Sequence, residues 1–428
     1  MKSMTLAEAA SAFREGRLTA AAYAEGLLAH VEATDAPVGA WAHLDPAWVR
    51  SEARRVDARP AAVNQPLRGI PVGLKDIIHT AQLPTRLGSS AFDDYAPASD
   101  AACVQRLQSA GAYAFGKTVT TELAFMHPGR TRNPWNVLHT PGGSSQGSAA
   151  SVAMGHVPLA LGTQTNGSVI RPAAYCGVVG FKPTLGSIPF DGVNLFSETL
   201  DTLGTFTRTV VDARIAASAL LDAPLSDVAL PPKLRLAFLP SFPWTAVDCD
   251  ADDVVEAGAT RLRVAGAEVV PVALPDGLHD AARVHRTIML CEAARNLEAV
   301  QQSYRPQLSK VLNDALDEGR GISRHDYQRA LAGRAAMIAL ATDWLAHYDA
   351  IIVPSAPAGA PTGLESTGDA SCCTLASLLG APAISLPVGF DAARLPIGMQ
   401  LFAAPGNDAK LLTVADWCEA RLPFRGLA

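Results

Sequence analysis

Apolar positions along this chain follow two alternating periods. Over 6–13 and 20–31 they return every three to four residues, the spacing of helices that bury one face, with a break at Gly16. A third such stretch covers 46–59. GIPVGLKDII (69–78) is an apolar run of strand length, broken by Gly and Pro and carrying one lysine, Lys75. A helix is predicted over 100–110, a strand in AYAFG (112–116), a helix of small residues over 145–154 and a buried strand in VPLALG (157–162). Beyond residue 205 come a helix at 209–221, strand LRLAFLP (234–240), a helix at 252–265, strand EVVPVAL (268–274) and two long helical stretches at 276–302 and 324–346. They are followed by strand AIIVPS (350–355), a helix at 373–379, strands AISLPV (383–388) and PIGMQLFA (396–403), and a C-terminal helix. Strands interleaved with helices predict an α/β fold: one large mixed β-sheet sandwiched between helices on both faces. The stretch 224–232, with proline at both ends, reads equally as a subdomain joint or a surface loop.

The 428 residues suffice for one large or two ordinary domains, and 49% hydrophobic with 18% charged residues is a globular mix leaning apolar. A net charge of −6 without a basic stripe argues against nucleic-acid binding. Seven cysteines at irregular spacing do not form a disulfide framework. The first residues lack the unbroken apolar stretch of a signal peptide, and no segment reaches the length of a membrane span. A reducing, cytoplasmic setting is therefore expected.

Two motif matches are misleading. GAYAFGKT (111–118) fits the phosphate-loop pattern, yet its middle residues favour a strand and a helix precedes it, the reverse of what phosphate cradling needs. GSSQG (143–147) fits a nucleophile elbow centred on Ser145, but turn material rather than a strand leads in. The histidines show no metal spacing, so no metal and no cofactor is expected. His79, His127 and His139, near the reactive segments, read as polar loop residues, and Cys372 and Cys373 as core thiols.

The densest unusual segment is 141–173, PGGSSQGSAASVAMGHVPLALGTQTNGSVIRPA, with five serines mostly near the ends of a helix–strand unit. Small residues let backbone N–H groups approach a ligand. Helix capping by Ser144 or Ser145 and a turn at Ser168 explain the same residues. Lys75 adds a second element. Its ordinary pKa is about 10.4, whereas a useful base sits at roughly 7–8. Burial among apolar neighbours lowers a lysine's pKa, although a lysine in an apolar run can also snorkel to the surface.

GGSSQGS (142–148), TNGS (165–168), PAAYCGVVGFKPT (172–184), GIPVGLKDII around Lys75, a strand carrying Glu122 in AGAYAFGKTVTTELAF, and PVGFDAARLPIGMQLFA (387–403) together resemble the amidase signature family. The match is dense over 65–205. It implies a single domain over 1–428: an N-terminal helical segment (1–60), the signature core (65–205) and a remainder (206–428) with variable substrate loops. It further implies that Ser168 is the nucleophile and that Ser144, in a cis peptide, relays its proton to a neutral Lys75. The N–H groups of Thr165, Asn166, Gly167 and Ser168 form an oxyanion hole. Ser145 either steadies this network or only caps a helix. Such a triad makes an acyl-enzyme and cleaves amide-type C–N bonds.

Three positions depart from the family pattern. Gln164 stands where aspartate is usual, Asn166–Gly167 where Gly-Gly is usual, and Ile170 where arginine is usual, with Arg171 one place later. TQT-x-GSVIRPAAYCG is closest to the malonamidase branch. There Arg171 would hold a substrate carboxylate; alternatively it forms a structural salt bridge. Asn166 adds a side chain that narrows or polarises the mouth of the site. The variable loops (185–200, 279–325, 355–372) carry Phe190, Phe196, Met289, Leu290 and Leu364. They read equally as core or as a partly apolar pocket for neutral amides or carbamates, with urethane hydrolysis as an alternative principal activity and a malonamate-type half-amide as another. A non-catalytic chain and the glutaminase subunit of a tRNA-dependent amidotransferase are further alternatives; the missing aspartate, length and acidic charge count against the latter. The expected partner is a small amide or carbamate substrate, with a homodimer left open.

Overall fold

The structure, a computed structural model, describes residues 4–60 and 64–427. Among them, eleven strands pair into one mixed sheet: β1 (Trp41–His43), β2 (Pro71–Lys75), β3 (Tyr113–Thr118), β4 (Leu159–Gln164), β5 (Val179–Lys182), β6 (Thr202–Thr207), β7 (Arg235–Phe238), β8 (Glu268–Pro271), β9 (Ala350–Pro354), β10 (Ala383–Phe390) and β11 (Pro396–Phe402). Their order is β1-β3-β2-β4-β6-β5-β10-β11-β9-β7-β8. β2 runs parallel to β3 and β4, and β7 parallel to β8 and β9; the other pairs are antiparallel.

Alternation along β11 shows how helices cover both faces. Successive strand residues point to opposite sides. A Cβ on Gly398 would meet Ala174 of the helix Ile170–Cys176, whereas the next residue, Met399, lies against Gly258 of the helix Cys249–Val264. The α/β sandwich expected from the sequence is the fold observed.

The helix Gln146–Ala153 is buried at all eight residues and packs on β2, β3 and β4. Its composition makes that possible. A Cβ on Gly147 would lie 2.0 Å from the Ala40 carbonyl oxygen, so only glycine lets helix and sheet approach this closely. Because β2, β3 and β4 are parallel neighbours, their carboxyl ends, at Lys75, Thr118 and Gln164, reach the same edge of the sheet. Ligand sites in such sheets lie outside these ends.

Several expectations are corrected. The stretch predicted as one helix over 276–302 is a short turn followed by Ala281–Asn296 and Glu298–Tyr304, separated at Leu297. The helix Lys310–Gly321 was not predicted, although Leu312, Ala315, Leu316 and Gly319 bury one face at helical spacing. Glu122 is not on a strand: it begins a short 3-10 turn, and its carboxylate accepts from the Ser309 backbone and hydroxyl. The stretch 224–232 is largely exposed coil. GAYAFGKT contributes β3, and its Lys117 points into the protein. There it donates to the Thr85 hydroxyl at 2.7 Å, the Thr80 hydroxyl and the Ile78 carbonyl, with Asp76 at 3.6 Å. Lys182 is also fully buried and donates to the carbonyls of Pro183 and Ala381. All seven cysteines are free, and Cys372 and Cys373 are buried. No helix among the described residues is long and apolar enough to cross a membrane.

Candidate active site

Lys75 ends β2 with none of its surface exposed. Its Nζ donates to the Ser144 hydroxyl at 2.6 Å and the Thr163 hydroxyl at 2.8 Å. Burial pushes its pKa down to about 7, against a smaller upward pull from the Asp201 carboxylate. Snorkelling is therefore excluded. Ser144 is buried in the turn before the helix Gln146–Ala153, and the Gly143–Ser144 peptide is cis.

Ser145 does not cap that helix with its side chain. Its hydroxyl donates to the Thr163 carbonyl at 3.2 Å and accepts from the Thr163 amide at 3.3 Å, which pins the serine turn to β4. A Cβ at Gly162 would stand 2.5 Å from this hydroxyl.

After β4 the chain turns through Thr165, Asn166, Gly167 and Ser168 into the helix Ile170–Cys176. Gln164 latches the turn. Its Oε1 accepts from the amides of Val169 (2.8 Å) and Ile170 (3.0 Å), work a carboxylate could also do, and its Nε2 donates to Ser377, which a carboxylate could not. The Thr165 hydroxyl donates to Asp201 at 2.6 Å, and the Asn166 side chain accepts from Thr374 at 3.0 Å. Ser168 is half-buried and lines a cavity of about 600 Å³ with Thr165, Asn166, Gly167 and Arg171. Its hydroxyl makes no hydrogen bond to Ser144 or to any other described residue. Lys75 and Ser144 thus meet directly, whereas Ser168 stands at the cavity wall. Catalytic hydrogen bonds without substrate are often incomplete.

Arg171 corrects one of the two sequence readings, the structural salt bridge. It forms no salt bridge among the described residues. Its two terminal nitrogens donate to backbone carbonyls, Gly368 at 2.6 Å and Gly143 at 2.7 Å. Its Nε has no partner, and burial pulls its pKa below the usual arginine range. The guanidinium ties the Ser144 turn to the loop that floors the cavity.

Phe125, Met126, Phe196, Met289, Pro357, Ala358 and Ala370 supply apolar wall, and Tyr175, Ser366 and Asp369 add polar groups to it. Of the residues assigned to variable loops, Phe196 and Met289 line it. Phe190 packs against the core, Leu290 is buried core, and Leu364 lies outside the wall. His79, His127 and His139 touch neither Lys75 nor the two serines; His139 bonds the Ala360 carbonyl.

Four residues of the site were not singled out from the sequence. Thr163 shares the lysine amine. Asp201, whose pKa burial raises to about 6, holds Thr165 and the amides of Phe196 and Ser197. His285 and Ser377 meet the turn from distant helices. The contacts of these four residues with Lys75 and with the turn 165–168 join positions 36 to more than 200 residues apart, and no local pattern announces such pairs.

The amidase family model matches residues 22–412. The chain belongs to the amidase signature family. At that level this amidase is an enzyme of amide C–N bonds. It is similar to a glutamyl-tRNA(Gln) amidotransferase subunit of Roseiflexus sp. (strain RS-1), 32% identical over 97% of this chain and 96% of the relative. A crystal structure of an amidase superposes with a TM-score of 0.90 at 31% identity, covering 98% of this chain and all of that one. Native peptide amidase from Stenotrophomonas maltophilia gives a TM-score of 0.82 at 29% identity, covering 98% and 97%. None of the three is named a malonamidase or a urethanase, so the branch favoured by motif spacing is not the one these relatives represent.

Proposed function

We propose that this amidase hydrolyses neutral, largely apolar amides through an acyl-enzyme, with Ser168 as nucleophile, Ser144 as proton relay and Lys75 as base. The observation that carries the reading is a fully buried amine 2.6 Å from the hydroxyl of Ser144; burial lowers its pKa to about 7, which favours the uncharged form. Ser168 Oγ bonds to the carbonyl carbon as its proton passes to Ser144 and the Ser144 proton passes to Lys75 Nζ. The resulting oxyanion is met by backbone amides of residues 165–168. Its collapse breaks the C–N bond, and Lys75 returns a proton through Ser144 to the leaving nitrogen. Water then cleaves the acyl ester. Carbamates and esters of matching shape present the same electrophile and fall within this reading. A half-amide of a dicarboxylic acid is the competing substrate class, because Arg171 lines the cavity and its guanidinium has more N–H groups than the two its carbonyl partners take.

The test is a fluorophosphonate reaction followed by peptide mapping, then a panel of p-nitroanilides, aryl carbamates, aryl esters and malonamate. Label on Ser168 with turnover of apolar anilides is expected. A protein that is inert to the probe and the whole panel would end the proposal.

One observation favours a second reading, glutaminase chemistry within an amidotransferase: the similarity to the Roseiflexus protein runs the length of both chains. The cavity holds one cationic and one anionic side chain, Arg171 and Asp369, of the kinds an amino acid requires. Ammonia release from glutamine that outpaces every anilide would establish this alternative.

A further inference from the structure

In a trans peptide the carbonyl and the N–H of one unit point in opposite directions. The Thr165 carbonyl shares a unit with the Asn166 amide, and the Asn166 carbonyl shares the next with the Gly167 amide. Whatever holds these two carbonyls therefore aims these two amides.

Both carbonyls are held by side chains from outside the signature core. His285, on the helix Ala281–Asn296, places Nε2 3.0 Å from the Thr165 oxygen. A carbonyl has no proton to give, so Nε2 carries the hydrogen. His285 is 2% exposed, and burial pushes its pKa down to about 4, which keeps the imidazole neutral. The Ser377 hydroxyl, on the helix Thr374–Leu378, donates to the Asn166 carbonyl and accepts from Gln164 Nε2 at 3.0 Å. The directions agree: amide to hydroxyl to carbonyl. Among the described residues, nothing accepts from the amides of Asn166, Gly167 or Ser168, and these residues line the cavity.

We propose that His285 and Ser377 are positioning residues that set the oxyanion hole: they draw the Thr165 and Asn166 carbonyls away from the cavity, so the Asn166 and Gly167 amides face the reacting oxygen. The proposal rests on Ser168 being the nucleophile. Neither residue touches substrate; both act through the backbone of the turn.

The experiment uses the full chain with His285→Phe, His285→Gln, Ser377→Ala and Ser377→Thr. It measures kcat and KM on an apolar acyl p-nitroanilide, the inhibition constant of phenylboronic acid, whose serine adduct is tetrahedral, and thermal unfolding. Losing an oxyanion donor outright costs about 10²–10³ in rate, so misaiming one should cost about 10- to 100-fold. His285→Phe should lower kcat by that factor, leave KM within about twofold and weaken the boronate in proportion. His285→Gln, which keeps an N–H donor, and Ser377→Thr should recover much of the loss. A merely structural role would lower thermal stability without separating kcat from KM or boronate from substrate. Wild-type kcat and boronate affinity in both His285→Phe and Ser377→Ala overturn the proposal. Should the histidine variants fail to fold, the Ser377 pair decides alone. A wild-type protein that fluorophosphonate does not label at Ser168 removes the nucleophile and this proposal together. Labelling at Ser168 with unchanged variants removes only this proposal.

Discussion

Consider Lys75→Met, which keeps an unbranched side chain of similar reach and removes its amine. The unfolded chain holds the lysine proton up to its ordinary value of 10.5, whereas the folded chain holds it only to about 7. Between those values the unfolded state binds more protons, so stability falls as pH drops from 10.5 to 7 and is level below that. At 1.36 kcal/mol per unit of pKa, burying the amine costs the wild type about 4–5 kcal/mol at pH 7. Methionine carries no such cost but loses two hydrogen bonds, to Ser144 and Thr163, worth about 1 kcal/mol each. The variant should therefore be more stable than wild type by about 2–3 kcal/mol at pH 7; the advantage should vanish at about pH 9 and turn into a deficit of about 1–2 kcal/mol by pH 10.5. Urea denaturation at these pH values measures this. Catalysis should move the other way. Wild-type kcat/KM should rise with pH through about 7, because only the uncharged amine accepts a proton. The variant should lose about 10²–10⁴ of that rate, and with it the inflection. A variant no more stable at pH 7, or one that keeps the inflection, would show that Lys75 is not the buried base.

Further outcomes follow from the same geometry. Arg171→Ala should lower kcat for neutral and acidic amides alike, by about tenfold or more, because its guanidinium holds the Gly143 and Gly368 carbonyls; a KM rise confined to acidic amides would refute this. Gly162→Ala should cost about 1–3 kcal/mol by overpacking, since its Cβ would lie 2.5 Å from Ser145 Oγ and 2.7 Å from the Phe206 ring; an unchanged urea midpoint would count against the tight fit. Met289→Ala should enlarge the cavity and shift kcat/KM toward bulkier acyl groups by about tenfold, read from a series of anilides; an unaltered size preference would remove Met289 from the substrate wall.

How much of this was legible beforehand depended on range. β2 and the helix Gln146–Ala153 were readable because an apolar run and a block of small residues are local signals. Lys75 and Ser144 could be named because their motifs match a family pattern, yet their 2.6 Å contact joins residues 69 apart and is fixed by strand pairing. Arg171 shows the opposite case. Resemblance to one branch, together with its charge, suggested a carboxylate partner, and the fold supplied two carbonyls, because the turn carrying Gly143 and the loop carrying Gly368 converge on its two terminal nitrogens. Gln164 looked like a lost carboxylate until its two ends were seen bonding in different directions. His285 was passed over because a lone histidine on a helix carries no motif.

Lys75, Lys117 and Lys182 are all fully enclosed, but their companions differ in what they can return. Those of Lys182 are carbonyl oxygens, which own no hydrogen. Around Lys117 the two threonine hydroxyls already send theirs elsewhere, Thr80 to Leu83 and Thr85 to Ile78. Beside Lys75, by contrast, the hydroxyls of Ser144 and Thr163 each keep a hydrogen that no described neighbour receives, and Ser144 is the one in the serine turn. Enclosure alone makes three amines reluctant to carry charge; a companion able to give as well as receive makes one of them a place where a proton can change owner.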